Sequence, residues 1–116
     1  METYKNKKVL ITGHTGFKGS WLSIWLNLLG AKVIGISNDI PSSPSNFITS
    51  NVKNYIDDFK ININDLDLLK NTINKIQPDF IFHLAAQSLV RKSYSDPIYS
   101  FSTNTMGTVN ILESLK

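Results

Sequence analysis

Short apolar runs alternate along the chain with stretches of helical periodicity. Lys8-Val9-Leu10-Ile11-Thr12, Lys32-Val33-Ile34-Gly35-Ile36 and Phe80-Ile81-Phe82-His83-Leu84 are continuous rather than alternating. Strands read this way when both faces of a parallel sheet are covered. Between the first two runs, Phe17, Trp21, Ile24, Trp25 and Leu28 recur at helical spacing. They predict a helix from about Phe17 to Leu29 whose stripe faces the sheet. Gly30 stands where a C′ glycine ends such a helix. Leu66, Leu69, Ile73 and Ile76 form a second stripe, capped by Asn64 or Asp65 and ended by Pro78. Asp96 followed by Pro97 signals the start of a last helix, with Ile98, Phe101, Thr105 and Leu112 near one face. A third strand is expected near Phe59–Ile63. The stretch Ser37–Tyr55, rich in Ser, Asn and Pro, reads mostly as loop, and loops this long in a compact domain are usually functional or mobile. The resulting order is strand, helix, strand, loop, strand, helix, strand, loop, helix. It predicts an α/β fold: right-handed βαβ units in a doubly wound parallel sheet with helices on both faces.

Composition narrows the possible chemistry. With 116 residues, 41% of them apolar and 18% charged, the chain holds one core and not two. It has no cysteine, which excludes disulfides and thiolate metal sites. His14 and His83 are far apart, so no metal site is expected. The first eight residues are polar and basic, with no signal-like apolar region, and no apolar stretch is long enough to cross a bilayer. The expected setting is cytoplasmic, without a membrane partner. The net charge of +3 and the pI near 9.2 raise the question of nucleic acid. Such binding needs Lys and Arg gathered on one face and shows strong salt dependence. Here the only clusters are Lys5-Lys7-Lys8 and Arg91-Lys92. The first reads as a solvated N-terminal segment, and no nucleic-acid partner is expected.

The chemistry lies in Leu10-Ile11-Thr12-Gly13-His14-Thr15-Gly16-Phe17-Lys18-Gly19. Its glycines fall at every third position, between a predicted strand and a predicted helix, which is the context a dinucleotide-binding turn requires. The spacing is Gly-x-x-Gly-x-x-Gly, with two residues rather than one between the first pair. Gly13 makes the turn out of the strand, Gly16 lets a pyrophosphate approach the backbone, and Gly19 lets helix and strand pack closely. The amides near Phe17 and Lys18 are the expected donors at the positive end of the helix dipole. Lys18 either neutralises phosphate charge or is simply exposed, and His14 either lines the turn or has no role.

These residues carry a resemblance. Gly13-x-x-Gly16-x-x-Gly19 is similar to the cofactor turn of extended short-chain dehydrogenase/reductases, whose sheet is of the Rossmann type. The longer string from Gly13 to Leu22 (Gly-His-Thr-Gly-Phe-Lys-Gly-Ser-Trp-Leu) closely resembles that of CDP-glucose 4,6-dehydratases. Pro41–Ser45, His83–Gln87, Leu89–Tyr94 and Asn104–Asn110 agree as well, so the resemblance covers nearly the whole chain. It implies NAD as cofactor and a nucleotide sugar as substrate. The sugar is oxidised at C4, loses water across C5 and C6, and receives the hydride back at C6. Carried over by position, Gly13, Thr15, Gly16, Phe17, Lys18 and Gly19 lie beside the cofactor, and Leu84, Ala85, Ala86 and Gln87 run along its ribose and nicotinamide side. Asn62 and Ile63 meet the adenine, and Asn104 supports the loops on the cofactor side. Small Ala85 and Ala86 suit close approach, although simple packing would also be content with them. Gly107, costly inside a helix, suggests close packing. Two positions depart from the family: Asn62 stands where an Asp is usual, and Ser37 stands where many NAD enzymes carry an acid, with Asp39 two residues on. No Arg near Ser37 awaits a 2′-phosphate.

The family's Tyr-x-x-x-Lys pair is missing. Tyr4 and Lys8 have that spacing only by coincidence, because they precede the first strand. No catalytic residue is therefore assigned. The chain is expected to be the N-terminal part of a longer, homo-oligomeric enzyme: a dinucleotide-binding domain over residues 1–116, inactive alone, lacking the second half of the sheet and the sugar-binding part. Alternatives are a GDP-mannose 4,6-dehydratase, a UDP-sugar epimerase, or a non-catalytic dinucleotide-binding module.

Overall fold

The structure is a computed structural model and describes residues 2–116. Its elements are β1 (Lys8–Thr12), α1 (Phe17–Leu28), β2 (Lys32–Ser37), α2 (Asn46–Thr49), β3 (Asp57–Lys60), α3 (Leu66–Ile76), β4 (Phe80–His83), α4 (Val90–Ser95), α5 (Pro97–Phe101) and α6 (Gly107–Glu113). A 3₁₀ turn at Val52–Asn54 precedes β3, and a π-helical segment at Ser102–Met106 joins α5 to α6. The four strands form one sheet in the order β3-β2-β1-β4, every neighbouring pair parallel. The register sets Leu10 between Ile34 and Ile81, and Thr12 between Ile36 and His83.

Strand alternation divides the core in two. Leu10, Ile34 and Ile36 face Leu69 and Ile73 of α3 and Ile111 of α6. Val9, Ile11 and Val33 face Leu26 of α1, with Phe80 and Phe82 at the margin. Helices thus cover both faces, as a Rossmann-type sheet demands. Asp65 caps α3 by accepting from the Leu68 amide at 3.0 Å, and Asp96 caps α5 from the Tyr99 amide at 3.0 Å. Gly30 follows α1 with φ +81°, the left-handed conformation of a C′ glycine. At Gly107 a Cβ would run into the Ile63 side chain, so α6 packs on the β3–α3 connection at a distance only glycine permits.

Four expectations are corrected. The stripe Phe17, Trp21, Trp25 and Leu28 is exposed, and α1 instead buries Gly19, Ser20, Ser23 and Leu26. Small residues let the helix settle close to the sheet, and the serine hydroxyls satisfy themselves on the carbonyls of Phe17 and Gly19. Second, β3 lies at Asp57–Lys60 rather than Phe59–Ile63. It is an edge strand with exposed side chains, so it has no apolar run to announce it. Third, the Ser37–Tyr55 loop contains α2 and the 3₁₀ turn, anchored by buried Phe47 and Val52. Fourth, α4 and the π-helical segment had no counterpart in the sequence reading.

Candidate cofactor site

A cleft of about 540 Å³ opens at the carboxyl ends of the strands, where open parallel sheets bind ligands. Its wall includes Gly13, Thr15, Gly16, Phe17, Lys18 and Gly19 from the turn, Asn62 and Ile63 after β3, and Leu84, Ala85 and Ala86 after β4. These segments, distant in sequence, meet here because β1 to β4 run parallel in one sheet and end on the same side.

The three glycines play different parts. Gly13 has φ +75°, and a Cβ there would lie 2.7 Å from the Ala85 nitrogen. Both the turn and the close passage of the β4 loop exclude a side chain. At Gly19 a Cβ would strike the Gly13 carbonyl oxygen, so α1 could not begin where it does. Gly16 is different. It precedes α1 in ordinary extended backbone, φ −71° and ψ 169°, and a Cβ would meet only the Gly13 oxygen, at 3.4 Å. The fold has room for a side chain there. No side chain caps α1, and its first turn holds no acidic residue. The amides of Phe17, Lys18 and Gly19, without partners inside the helix, are left for an anion.

Side-chain bonds hold the wall in place. The Thr15 hydroxyl donates to the Asp39 carbonyl at 2.6 Å and lies 2.9 Å from Ser37 Oγ, tying the turn to the loop after β2. Thr15 is thereby committed within the protein. Asn62 Oδ1 accepts from the Asn64 amide at 3.0 Å, and the Ile63 carbonyl accepts from Asn110 Nδ2 at 2.9 Å. Gln87 and Asn104 do not line the cleft. Asn104 accepts from the Gln87 amide at 2.7 Å and donates to its carbonyl at 3.0 Å, while Gln87 Nε2 reaches Ser100 Oγ and the Leu89 carbonyl. The pair fastens the loop after β4 to the π-helical segment.

His14 belongs to the framework. Its ring is fully buried and lies edge-on to Phe47, and its Nε2 is 2.7 Å from Asp58 Oδ1. It fills the space that Gly35 leaves, since a Cβ at Gly35 would enter the ring. The turn is therefore pinned to β3 across β2.

The cleft also takes in Asn38, Ser88, Tyr99 and Thr103, which the sequence did not single out, together with Ser37, Asp39 and Pro41 at and after the end of β2. Ser37 and Asp39 were marked by their place after a strand, and Asp39 does border the cleft. Thr103 had no signal. It is 9% exposed, and its hydroxyl has no partner. Helical hydroxyls usually bond the carbonyl four residues back, as Thr72, Ser100, Thr108 and Ser114 do here. The π-helical segment breaks that habit and leaves Thr103 Oγ1 unpaired on the wall. With Gly16, this orphaned hydroxyl fits a bound polar ligand.

Comparison with known proteins agrees with this geometry. The sequence profile of the GDP-mannose 4,6 dehydratase family matches residues 10–116. The CDP-glucose 4,6-dehydratase of Salmonella typhimurium is 47% identical over 97% of this chain, and the match spans 32% of that relative. Among solved structures, an epimerase from Methanothermobacter thermautotrophicus has TM-score 0.83 at 33% identity, over 97% of this chain and 32% of its own. The UDP-glucose 4-epimerase of Thermus thermophilus, solved in complex with NAD, has TM-score 0.80 at 29% identity, over 92% of this chain and 33% of its own. The chain thus spans about a third of the length of these relatives. Because the matched region begins inside β1 and runs on through α6, taking in the whole glycine turn, the chain belongs to the GDP-mannose 4,6-dehydratase family.

Proposed function

We propose that this chain is the dinucleotide-binding, N-terminal part of a nucleotide-sugar 4,6-dehydratase, that its dinucleotide is NAD, and that its sugar nucleotide is CDP-glucose. Gly16 carries the dinucleotide reading. Gly13 and Gly19 are required by the fold, but Gly16 is not. A Ser or Asp at that position would cap α1 better than glycine does. A glycine that the fold does not need, facing a cleft at the amide end of a 12-residue helix, is what a diphosphate asks for, because a Cβ would hold its oxygens away from the amides.

When bound, NAD supplies a reversible hydride acceptor. The residues of this chain bind and orient it. The amides of Phe17, Lys18 and Gly19 take the diphosphate, and the Lys18 ammonium offsets its charge. Asn62, Ile63 and Thr103 serve the adenosine side, and Leu84, Ala85 and Ala86 the ribose and nicotinamide side. Gln87 and Asn104 steady the loop that carries them. The choice of NAD is supported by the NAD complex of the Thermus relative and by the absence of any Arg near Ser37. CDP-glucose is supported by the Salmonella relative and by the string Gly13–Leu22. The overall conversion is CDP-glucose to CDP-4-keto-6-deoxyglucose and water.

Gly16→Val tests the carrying observation. Calorimetry is expected to show NAD affinity falling at least about tenfold, the scale of one lost charge-assisted hydrogen bond, while circular dichroism and melting stay near the wild type. Unchanged affinity would falsify the reading. A family-wide alternative is GDP-mannose or a UDP-sugar as substrate, favoured by the family match. Turnover of CDP-glucose, GDP-mannose and UDP-glucose by the enzyme at the length of its relatives separates the three.

A further inference from the structure

Every residue from Gly13 to Gly19 borders the cleft except His14. Its ring turns inward and lies over β2 at Gly35. Gly35 is the register partner of Asp58 in β3, so a ring placed over Gly35 reaches the next strand, and Nε2 meets Asp58 Oδ1 at 2.7 Å. A carboxylate only accepts, so Nε2 donates.

Packing alone does not call for a histidine here. The ring is fully buried, and its Nδ1 has no partner among the described residues. A leucine or phenylalanine would fill the space beside Phe47 without leaving a buried nitrogen unpaired, which costs stability. What the imidazole adds is one directed bond to a carboxylate. That bond joins two parts of the molecule that do not otherwise pair, because β2 stands between β1 and β3 in the sheet. At one end is the glycine turn. At the other, Asp58 lies four residues before Asn62 and five before Ile63, which line a separate stretch of the cleft wall. Thr15 ties the turn to the loop after β2, and His14 carries the tie one strand further.

We propose that His14 and Asp58 form a strut that sets the span between the glycine turn and Asn62–Ile63, and that both are positioning residues for the adenosine diphosphate half of the dinucleotide. The inference rests on the dinucleotide reading of the cleft. Neither residue lines the cleft, so the strut acts through the backbone it holds. A ligand that touches both stretches is sensitive to their separation, since hydrogen bonds weaken steeply away from their preferred geometry.

His14→Leu keeps the bulk and removes the bond. It leaves no buried lone charge, since the Asp58 carboxylate keeps partial access to water and lies 3.9 Å from Lys53 Nζ. Asp58→Ala removes the same bond from the other end. Asp58→Asn keeps an oxygen that accepts from Nε2 while losing the ion pair with Lys53. The enzyme at the length of its relatives is examined in two ways. Without ligand, hydrogen exchange is followed at Gly13 and Gly16, whose amides donate to the Ile36 and Gly13 carbonyls at 2.8 and 3.1 Å, and at Leu84, whose amide donates to the Thr12 carbonyl at 3.0 Å away from the strut. With ligand, calorimetry compares NAD with ADP-ribose, which lacks the nicotinamide.

His14→Leu and Asp58→Ala are expected to speed exchange at Gly13 and Gly16 at least about tenfold with Leu84 near the wild type. Both are expected to weaken NAD and ADP-ribose by a common factor of about ten, the scale of one charge-assisted hydrogen bond. Asp58→Asn is expected to stay near the wild type in both measurements, and the double variant to lose no more than either single one. The strut is overturned if exchange at the turn is unchanged, or if exchange at Leu84 rises as much, which marks general loosening. It is also overturned if the turn loosens while ADP-ribose affinity holds, or if Asp58→Asn behaves as Asp58→Ala, which assigns the effect to Lys53. A wild type that binds no NAD sinks the dinucleotide reading instead, and exchange still decides whether the strut holds the turn.

Discussion

His83 sits between two threonines. Its Nδ1 lies 2.6 Å from Thr12 Oγ1 and its Nε2 3.1 Å from Thr108 Oγ1. The surrounding bonds assign the roles. Thr12 Oγ1 already accepts from the amides of Leu84 and Ala85 at 3.2 and 3.3 Å, so its proton goes to Nδ1, and a neutral imidazole donates from Nε2. Burial likewise holds the His83 pKa below its ordinary value of 6.5. A histidine kept neutral by the fold takes up protons more readily when unfolded. Stability from this site is therefore complete above about pH 6.5 and declines as pH falls from there toward the depressed folded value. Urea midpoints between pH 8 and pH 5 are expected to fall in that window for the wild type and to fall less for His83→Gln; parallel curves would refute the assignment. The glycines are read at the same scale. Gly13 and Gly19 are legible as structural necessities, while the need at Gly35 appears only when the His14 ring is seen filling the space beside it.

The π-helical segment Ser102–Met106 shows what an element contributes beyond its residues. By i→i+5 bonding it interrupts what would otherwise be one helix from Pro97 to Glu113, a feature that often accompanies functional sites. The offset leaves Thr103 on the cleft wall with an unpaired hydroxyl and sets Asn104 against the Gln87 backbone. Thr103→Val keeps the shape and removes the hydroxyl. Since the lost group is buried and unsatisfied, the ligand-free melting temperature is expected to hold or rise, because an unpaired buried hydroxyl costs about 1–3 kcal/mol. NAD affinity is expected to fall several-fold, by the roughly 0.5–1.5 kcal/mol of one hydrogen bond, while Thr103→Ser retains it. A lower melting temperature with unchanged affinity would instead mark Thr103 as a packing residue. No local pattern announces this segment, because the apolar spacing of Ile98, Phe101, Thr105 and Leu112 is compatible with an unbroken helix. Helix α1 misled in the opposite sense: its most conspicuous periodicity belongs to the face turned away from the sheet.

At the scale of the whole molecule, the cleft exists because strand order β3-β2-β1-β4 brings the carboxyl ends of four parallel strands, and the loops after all of them, to one end of the sheet. A ligand held there by several loops at once should stabilise the fold by mass action. NAD at a hundredfold its Kd is expected to add about 2.7 kcal/mol, read as a rise in melting temperature, and NADP at the same concentration a smaller rise, since no Arg stands near Ser37. Equal shifts would remove the basis for preferring NAD. Much of this architecture could be read from the chain alone. Continuous apolar runs at β1 and β2 marked a parallel sheet covered on both faces, because central strands buried twice have no polar side, while β4 carries the same kind of run half-buried at an edge of the sheet. Gly13, Gly16 and Gly19 located the tight turn between β1 and α1 that borders the cleft, because backbone curvature and close approach are local demands that a single residue type meets. What the chain alone could not reveal depends on contacts between segments far apart in sequence. The exposed edge strand β3 has no apolar signal of its own. The burial of small rather than large residues under α1 depends on how near the helix stands to the sheet. His14 with Gly35 and Asp58, and Thr103 with the cleft, are pairings set by strand order and a π-helical offset, which no local pattern encodes.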